Sequence, residues 1–72
     1  MTKYDYSKLK GKMRENEITQ EQLAVEIGIS ACSLNLTLCN KRNFRQDEII
    51  SICKVLGIRT AKIEEYFFTH IL

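Results

Sequence analysis

Apolar side chains return along this chain every three or four positions, the repeat of helices that each bury one face. Leu9 and Met13 stand one turn apart in a first helix, read from about Asp5 or Ser7 to Asn16 and weakened slightly by Gly11. Thr19 opens a second helix with Gln22 three residues on, the spacing of a capping box. Leu23, Ala24 and Ile27 give that helix its stripe, and Gly28 closes it as a left-handed glycine. Ser30 caps a third helix running to about Cys39. A fourth starts near Gln46, with Asp47 and Glu48 where acids offset the helix dipole. Its inward stripe is Ile49, Ile52, Cys53 and Leu56, and Gly57 stops it. Thr60 caps a last helix that carries Ile63, Glu64, Glu65, Tyr66 and Phe67.

One segment has a rival reading. The run "LNLTL" alternates with period two, so a half-buried strand would place Leu34, Leu36 and Leu38 on one face. A helix stacks Leu34 on Leu38 and leaves Leu36 apart. The cap at Ser30 and the lack of a second strand to pair with favour the helix. The fold class expected is all-α, a compact bundle of five short helices.

Length and composition narrow the function. The 72 residues have room for one domain, 1–72, with one small core. A net charge of +2 is mild for a nucleic-acid binder, but its distribution is uneven. Between Ile27 and Gln46 there is no acid, while Lys41, Arg42 and Arg45 cluster there. Another basic run, Lys8, Lys10, Lys12 and Arg14, lies in the first helix. The three cysteines, Cys32, Cys39 and Cys53, form no metal-binding pair, and the lone His70 sits in the tail. No metal or cofactor is expected, and free thiols suit a reducing cytosol. No apolar run approaches a membrane span, and "MTKYDYSKLK" lacks the core of a signal peptide. The expected location is cytoplasmic, with no membrane contact.

The pattern Thr19-Gln20-x-x-Leu23-Ala24-x-x-x-Gly28-Ile29-Ser30-x-x-x-Leu34 is a helix-turn-helix signature, spanning about residues 19–39. Small Ala24 lets two helices approach, Gly28 supplies the turn, Ile29 plugs the corner, and Leu34 pins the second helix on the first. With these residues the chain resembles the lambda-repressor-like, Cro/C1-type helix-turn-helix domains. The stretches Gln46–Ile50, Ile52–Cys53, Leu56–Ile58 and Glu65–Phe68 are similar to small Cro-like phage regulators. Within that group the chain resembles the modulator-of-repression proteins of lactococcal temperate phages, small antirepressors of the lysis–lysogeny switch. The resemblance implies phosphate contacts from Gln20 and from the loop residues Asn40, Lys41, Arg42 and Asn43. It places Ser30, Ala31, Cys32, Ser33, Asn35 and Leu36 toward a DNA groove. Cations and amides on such a loop position DNA without reading it, although a merely solvated loop would look the same.

The reading helix is unusually greasy. At ~100° per residue, a helix with Leu34 and Leu38 inward turns Leu36 outward, beside Cys32 and Cys39. Asn35 can take adenine bidentately, whereas Ala31 and Leu36 can only touch a thymine methyl. Three readings compete. One exposed leucine is common on any surface. Operator binding could use Asn35, methyl contacts, DNA shape and a dimer. Or the face docks on the DNA-binding domain of a phage repressor, with Val25 of the second helix adding apolar surface and DNA contact remaining weak and non-specific. The apolar tail, residues 66–72, poses a similar choice: Phe68, Ile71 and Leu72 are candidates for a homodimer or partner contact, against simple fraying. An enzyme fits poorly. Asp47/Glu48 and Glu64/Glu65 lie at helix starts, where the dipole explains them, and no phosphate-cradling glycine loop is present. Host-regulator or antitoxin use of the same fold stays open.

Overall fold

Thr19 caps as its spacing requires. Its Oγ1 accepts from the Gln22 N–H at 3.1 Å, and Gln22 Oε1 accepts from the Thr19 N–H at 2.9 Å. The computed structural model describes residues 3–71. Among them the elements are α1 (Ser7–Glu15), α2 (Gln20–Ile27), α3 (Ala31–Leu38), α4 (Gln46–Leu56), a 3₁₀ turn (Thr60–Lys62) and α5 (Ile63–Phe67). Met1, Thr2 and Leu72 lie outside the described residues, so the tail candidate Leu72 has no structural account.

The segment with two readings is helical. Ser30 Oγ accepts from the Ser33 N–H at 3.0 Å, and Leu34, Thr37 and Leu38 are buried. Gly28, at φ 77°, turns the chain between α2 and α3, and the Ile29 N–H reaches back to the Ala24 carbonyl at 3.0 Å. That left-handed turn and the small Ala24, 1 % exposed, set how closely the two helices meet. The core gathers Leu9 and Met13 of α1, Leu23 and Ala24 of α2, Leu34 and Leu38 of α3, Ile52 and Leu56 of α4, and Phe67 of α5.

Several packing details depart from the sequence reading. The inward line of α4 is Glu48, Ile52 and Leu56, with Ile49 and Cys53 half-buried to one side. Thr60 does not cap the last helix by itself. It begins the 3₁₀ turn, no side chain caps that turn, and α5 continues from it after Lys62. Phe67 is buried as expected, while Ile63 and Tyr66 are only partly covered. Phe44, in the loop read as polar and basic, packs edge-on against Tyr6 and Phe67 with ring centroids 5.5 and 5.4 Å apart. The loop is thereby nailed to the core.

The tail neither frays nor stands free through residue 71. The Asp5 N–H donates to the Thr69 carbonyl at 2.6 Å, and the Ile71 N–H donates to the Lys3 carbonyl at 3.2 Å. Tyr4 and His70 thus form an antiparallel bridge that ties the two ends of the described chain together. Phe68 lies edge-on to Tyr4 at 5.7 Å.

Candidate interaction face on the second and third helices

The side chains that α3 and its C-cap residue Cys39 send outward are Ala31, Cys32, Asn35, Leu36 and Cys39, all exposed. This follows from the inward pull of Leu34, Thr37 and Leu38, which fixes the rotation of the helix. Leu36 is 37 % exposed and Val25 of α2 is 79 % exposed. Ser30 and Ser33 are less available than their positions suggest. Ser30 Oγ is the helix cap and donates to Ser33 Oγ at 2.9 Å, so the two hydroxyls serve each other.

Val25 has charged neighbours along α2. Glu21, one turn before it, and Glu26, next to it, are both exposed, and neither makes an ion pair with a described residue. Their spacing is visible along α2, on either side of a valine expected to face outward. Two free carboxylates around an apolar side chain repel phosphate and suit a basic protein surface.

The loop after α3 divides into two groups. Lys41 and Asn43 are exposed, and Gln20 at the start of α2 is half-buried. Asn40 and Arg42 are engaged inside the molecule. Asn40 stands at φ 62°, a left-handed conformation that asparagine tolerates. Its Oδ1 accepts from the Tyr4 N–H at 2.7 Å, and its Nδ2 donates to the Tyr4 carbonyl at 2.9 Å. The amide thus acts as a one-residue strand on the edge of the terminal bridge. We expect Asn40→Ala to cost about 2 kcal/mol, from two lost hydrogen bonds and the left-handed backbone. Urea denaturation would measure it, and the Asp5 and Ile71 N–H groups should exchange faster with solvent.

Arg42 forks onto Glu48, Nη1 to Oε1 at 3.1 Å and Nη2 to Oε2 at 2.6 Å. Nη1 also donates to Thr37 Oγ1 at 2.7 Å, and Glu48 Oε1 accepts from the Arg45 N–H at 2.9 Å. Burial alone would push the Glu48 carboxyl up. The Arg42 hydrogen bonds, the Arg45 N–H and the two nearby cations outweigh it and hold that carboxyl below the usual carboxylate range. Arg42 is correspondingly held more firmly in its charged form by the Glu48 hydrogen bond. Asn40 and Arg42 thus hold internal partners, while Lys41 and Asn43 stand exposed.

Among the described residues no three His, Cys, Asp or Glu side chains gather where they could hold a metal ion. Burial raises the Cys53 thiol, the half-buried one of three free cysteines. No described helix is long and apolar enough to cross a membrane.

The family described as "Protein of unknown function (DUF739)" matches residues 1–70. The chain belongs to the DUF739 family. No curated protein matches it. It is similar to the solution structure of the modulator of repression (MOR) of the temperate bacteriophage TP901-1 from Lactococcus lactis. The identity is 38 %, over 90 % of this chain and 88 % of that one, with a TM-score of 0.77. This DUF739 chain is therefore a relative of the phage modulators of repression that its sequence resembles.

Proposed function

We propose that the chain is a regulator of a phage lysis–lysogeny switch, working in the bacterial cytoplasm as a single helix-turn-helix domain without catalysis or cofactor. It acts as an antirepressor: the face formed by Val25, Cys32, Leu36 and Cys39 docks on the DNA-binding domain of the phage repressor. The observation that carries this reading is the outward side of α3, apolar where a DNA reader needs hydrogen-bonding groups; on α2 the exposed Val25 lies between the exposed carboxylates Glu21 and Glu26. The similarity to a phage modulator of repression supports the same partner class. DNA contact is weak and non-specific, through Lys41, Asn43 and Gln20, because phosphate contacts position without reading sequence.

A direct operator repressor of the Cro-like kind is the second reading. Exposed Asn35 favours it, being an amide that could grip adenine bidentately. Fluorescence anisotropy separates the two. The protein would be titrated against DNA from its own upstream intergenic region, against a scrambled duplex, and against the repressor encoded beside it. Weak, equal binding to both duplexes that collapses with salt, together with salt-tolerant repressor binding, is the expected result. A strong preference for the native duplex at physiological salt, without repressor binding, would make the chain an operator reader.

A further inference from the structure

A second apolar surface lies away from the α2–α3 face. Phe44, Ile49, Ile50, Thr60, Ile63 and Phe68 line a groove between α4 and the 3₁₀ turn with α5, and no residue of α2 or α3 contributes to it. It continues along α4 past Cys53 to Lys54, and its two halves enclose volumes of about 520 and 390 Å³. Ile50 is 46 % and Phe68 41 % exposed, so two large apolar side chains stand in water on one side of the molecule.

The charges on α4 select the occupant. With Glu48, Ile52 and Leu56 inward, the outward line of the helix is Asp47, Ile50 and Lys54, which fall within about 60° of one another around the axis. Asp47 has only the long 3.5 Å contact to exposed Arg45, and Lys54 makes no ion pair with a described residue. An acid, an isoleucine and a base in that order are complementary to themselves when read backwards. Two copies of α4 laid antiparallel set Asp47 opposite the partner's Lys54 at both ends, with the isoleucines meeting near a two-fold axis. Antiparallel helices also bring opposite dipole ends together.

We propose that this groove is the interface of a symmetric homodimer, in which a second copy lays its α4 antiparallel on the first and the two Ile50 side chains close over Ile63 and Phe68. Ile50 and Phe68 are the large apolar side chains the groove exposes, few beside what a permanent dimer buries, so the association is weak and concentration-dependent. The proposal does not rest on the repressor-binding reading, since the two faces share no residue.

Sedimentation velocity from low micromolar to near-millimolar protein tests it. The wild type should shift from monomer to dimer over that range. Asp47→Lys gives the stripe two cations and Lys54→Asp gives it two anions, so each variant alone should self-associate about tenfold more weakly. Mixed in equal amounts, the two should form a heterodimer, because each end then pairs opposite charges. Ile50→Arg should abolish dimerisation, with circular dichroism confirming that every variant folds. A wild type that stays monomeric at all concentrations, single charge variants that dimerise normally, or a mixture that fails to pair would each overturn the proposal. So would loss of repressor binding in Ile50→Arg with no change in mass, which would give the groove to the repressor instead.

Discussion

Glu48→Ala should destabilise the domain by about 3 kcal/mol, toward the low end of what breaking a buried ion pair costs. The carboxylate side chain is 4 % exposed and that of Arg42 is 27 % exposed, so the stranded guanidinium recovers some water and the loss stays below the upper bound. Two groups lose their partner at once, and a third is left beside an unpaired charge. Arg42 loses both ends of its fork, the Arg45 N–H loses its acceptor at the start of α4, and Thr37 is left holding a cation without its counter-charge. A chain of this length has about 4–11 kcal/mol in total, so urea unfolding should show a large fall in the midpoint with an unchanged slope. Glu48→Gln, which keeps an acceptor for the Arg45 N–H, should lose less.

The same pair gives a pH dependence of known sign. Because the folded carboxyl titrates below its unfolded value, its stabilisation is complete above the ordinary carboxylate range. It is lost progressively as the pH falls through that range toward the folded value. Urea midpoints measured through mildly and then strongly acid solution should therefore fall steeply in the wild type and less steeply in Glu48→Ala. A residual slope should remain from Glu65, lowered by its hydrogen bond and charge contact with Lys8, and from Asp5, lowered by its hydrogen bonds with Ser7. Equal slopes in the two proteins would show that Glu48 is not the group responsible.

Leu36→Arg should weaken repressor binding by at least about tenfold, since a cation would replace an apolar anchor where a basic partner is expected. Leu36 is exposed enough that folding should change by no more than about 0.5 kcal/mol. The same substitution should leave non-specific DNA binding intact or strengthen it, with a salt dependence steeper by roughly one phosphate contact. Val25→Arg should act in the same direction on the repressor, because it inserts a cation between Glu21 and Glu26 and neutralises the acidic flank. Anisotropy with labelled duplex and labelled repressor reads all four quantities. Full repressor affinity in both variants would remove this face from the interface.

Local chemistry made most of the helical framework legible. A capping box, two left-handed glycines and a serine cap act within a few residues, so Thr19, Ser30, Gly28 and Gly57 announce the helix ends wherever the chain goes afterwards. The outward turn of Leu36 could also be read, because an α-helix fixes the angle between residues that pack and residues that do not. The tail was harder to place. Its pairing with Lys3 and Asp5 joins opposite ends of the described chain, and no periodicity within either end encodes that meeting. Thr60 misled for a related reason: a threonine ahead of two glutamates suggests a cap, but the chain arrives after Gly57 in a 3₁₀ turn that uses no side-chain cap.

The amino-acid sequence by itself determined the helices, their caps, the sharp turn at Gly28 and the greasy character of the face beyond it, since each depends on neighbours within one or two turns. Only the tertiary structure decided what the polar residues do. Asn40 and Arg42 look like phosphate ligands in a basic loop, and Glu48 looks like a dipole-compensating acid at a helix start. Packing α4 behind that loop brought Arg42, Glu48 and Thr37 together out of water, while pairing of the chain ends placed Tyr4 against Asn40. A long polar side chain takes whichever partner the fold sets within hydrogen-bonding reach, and a buried charge must find one.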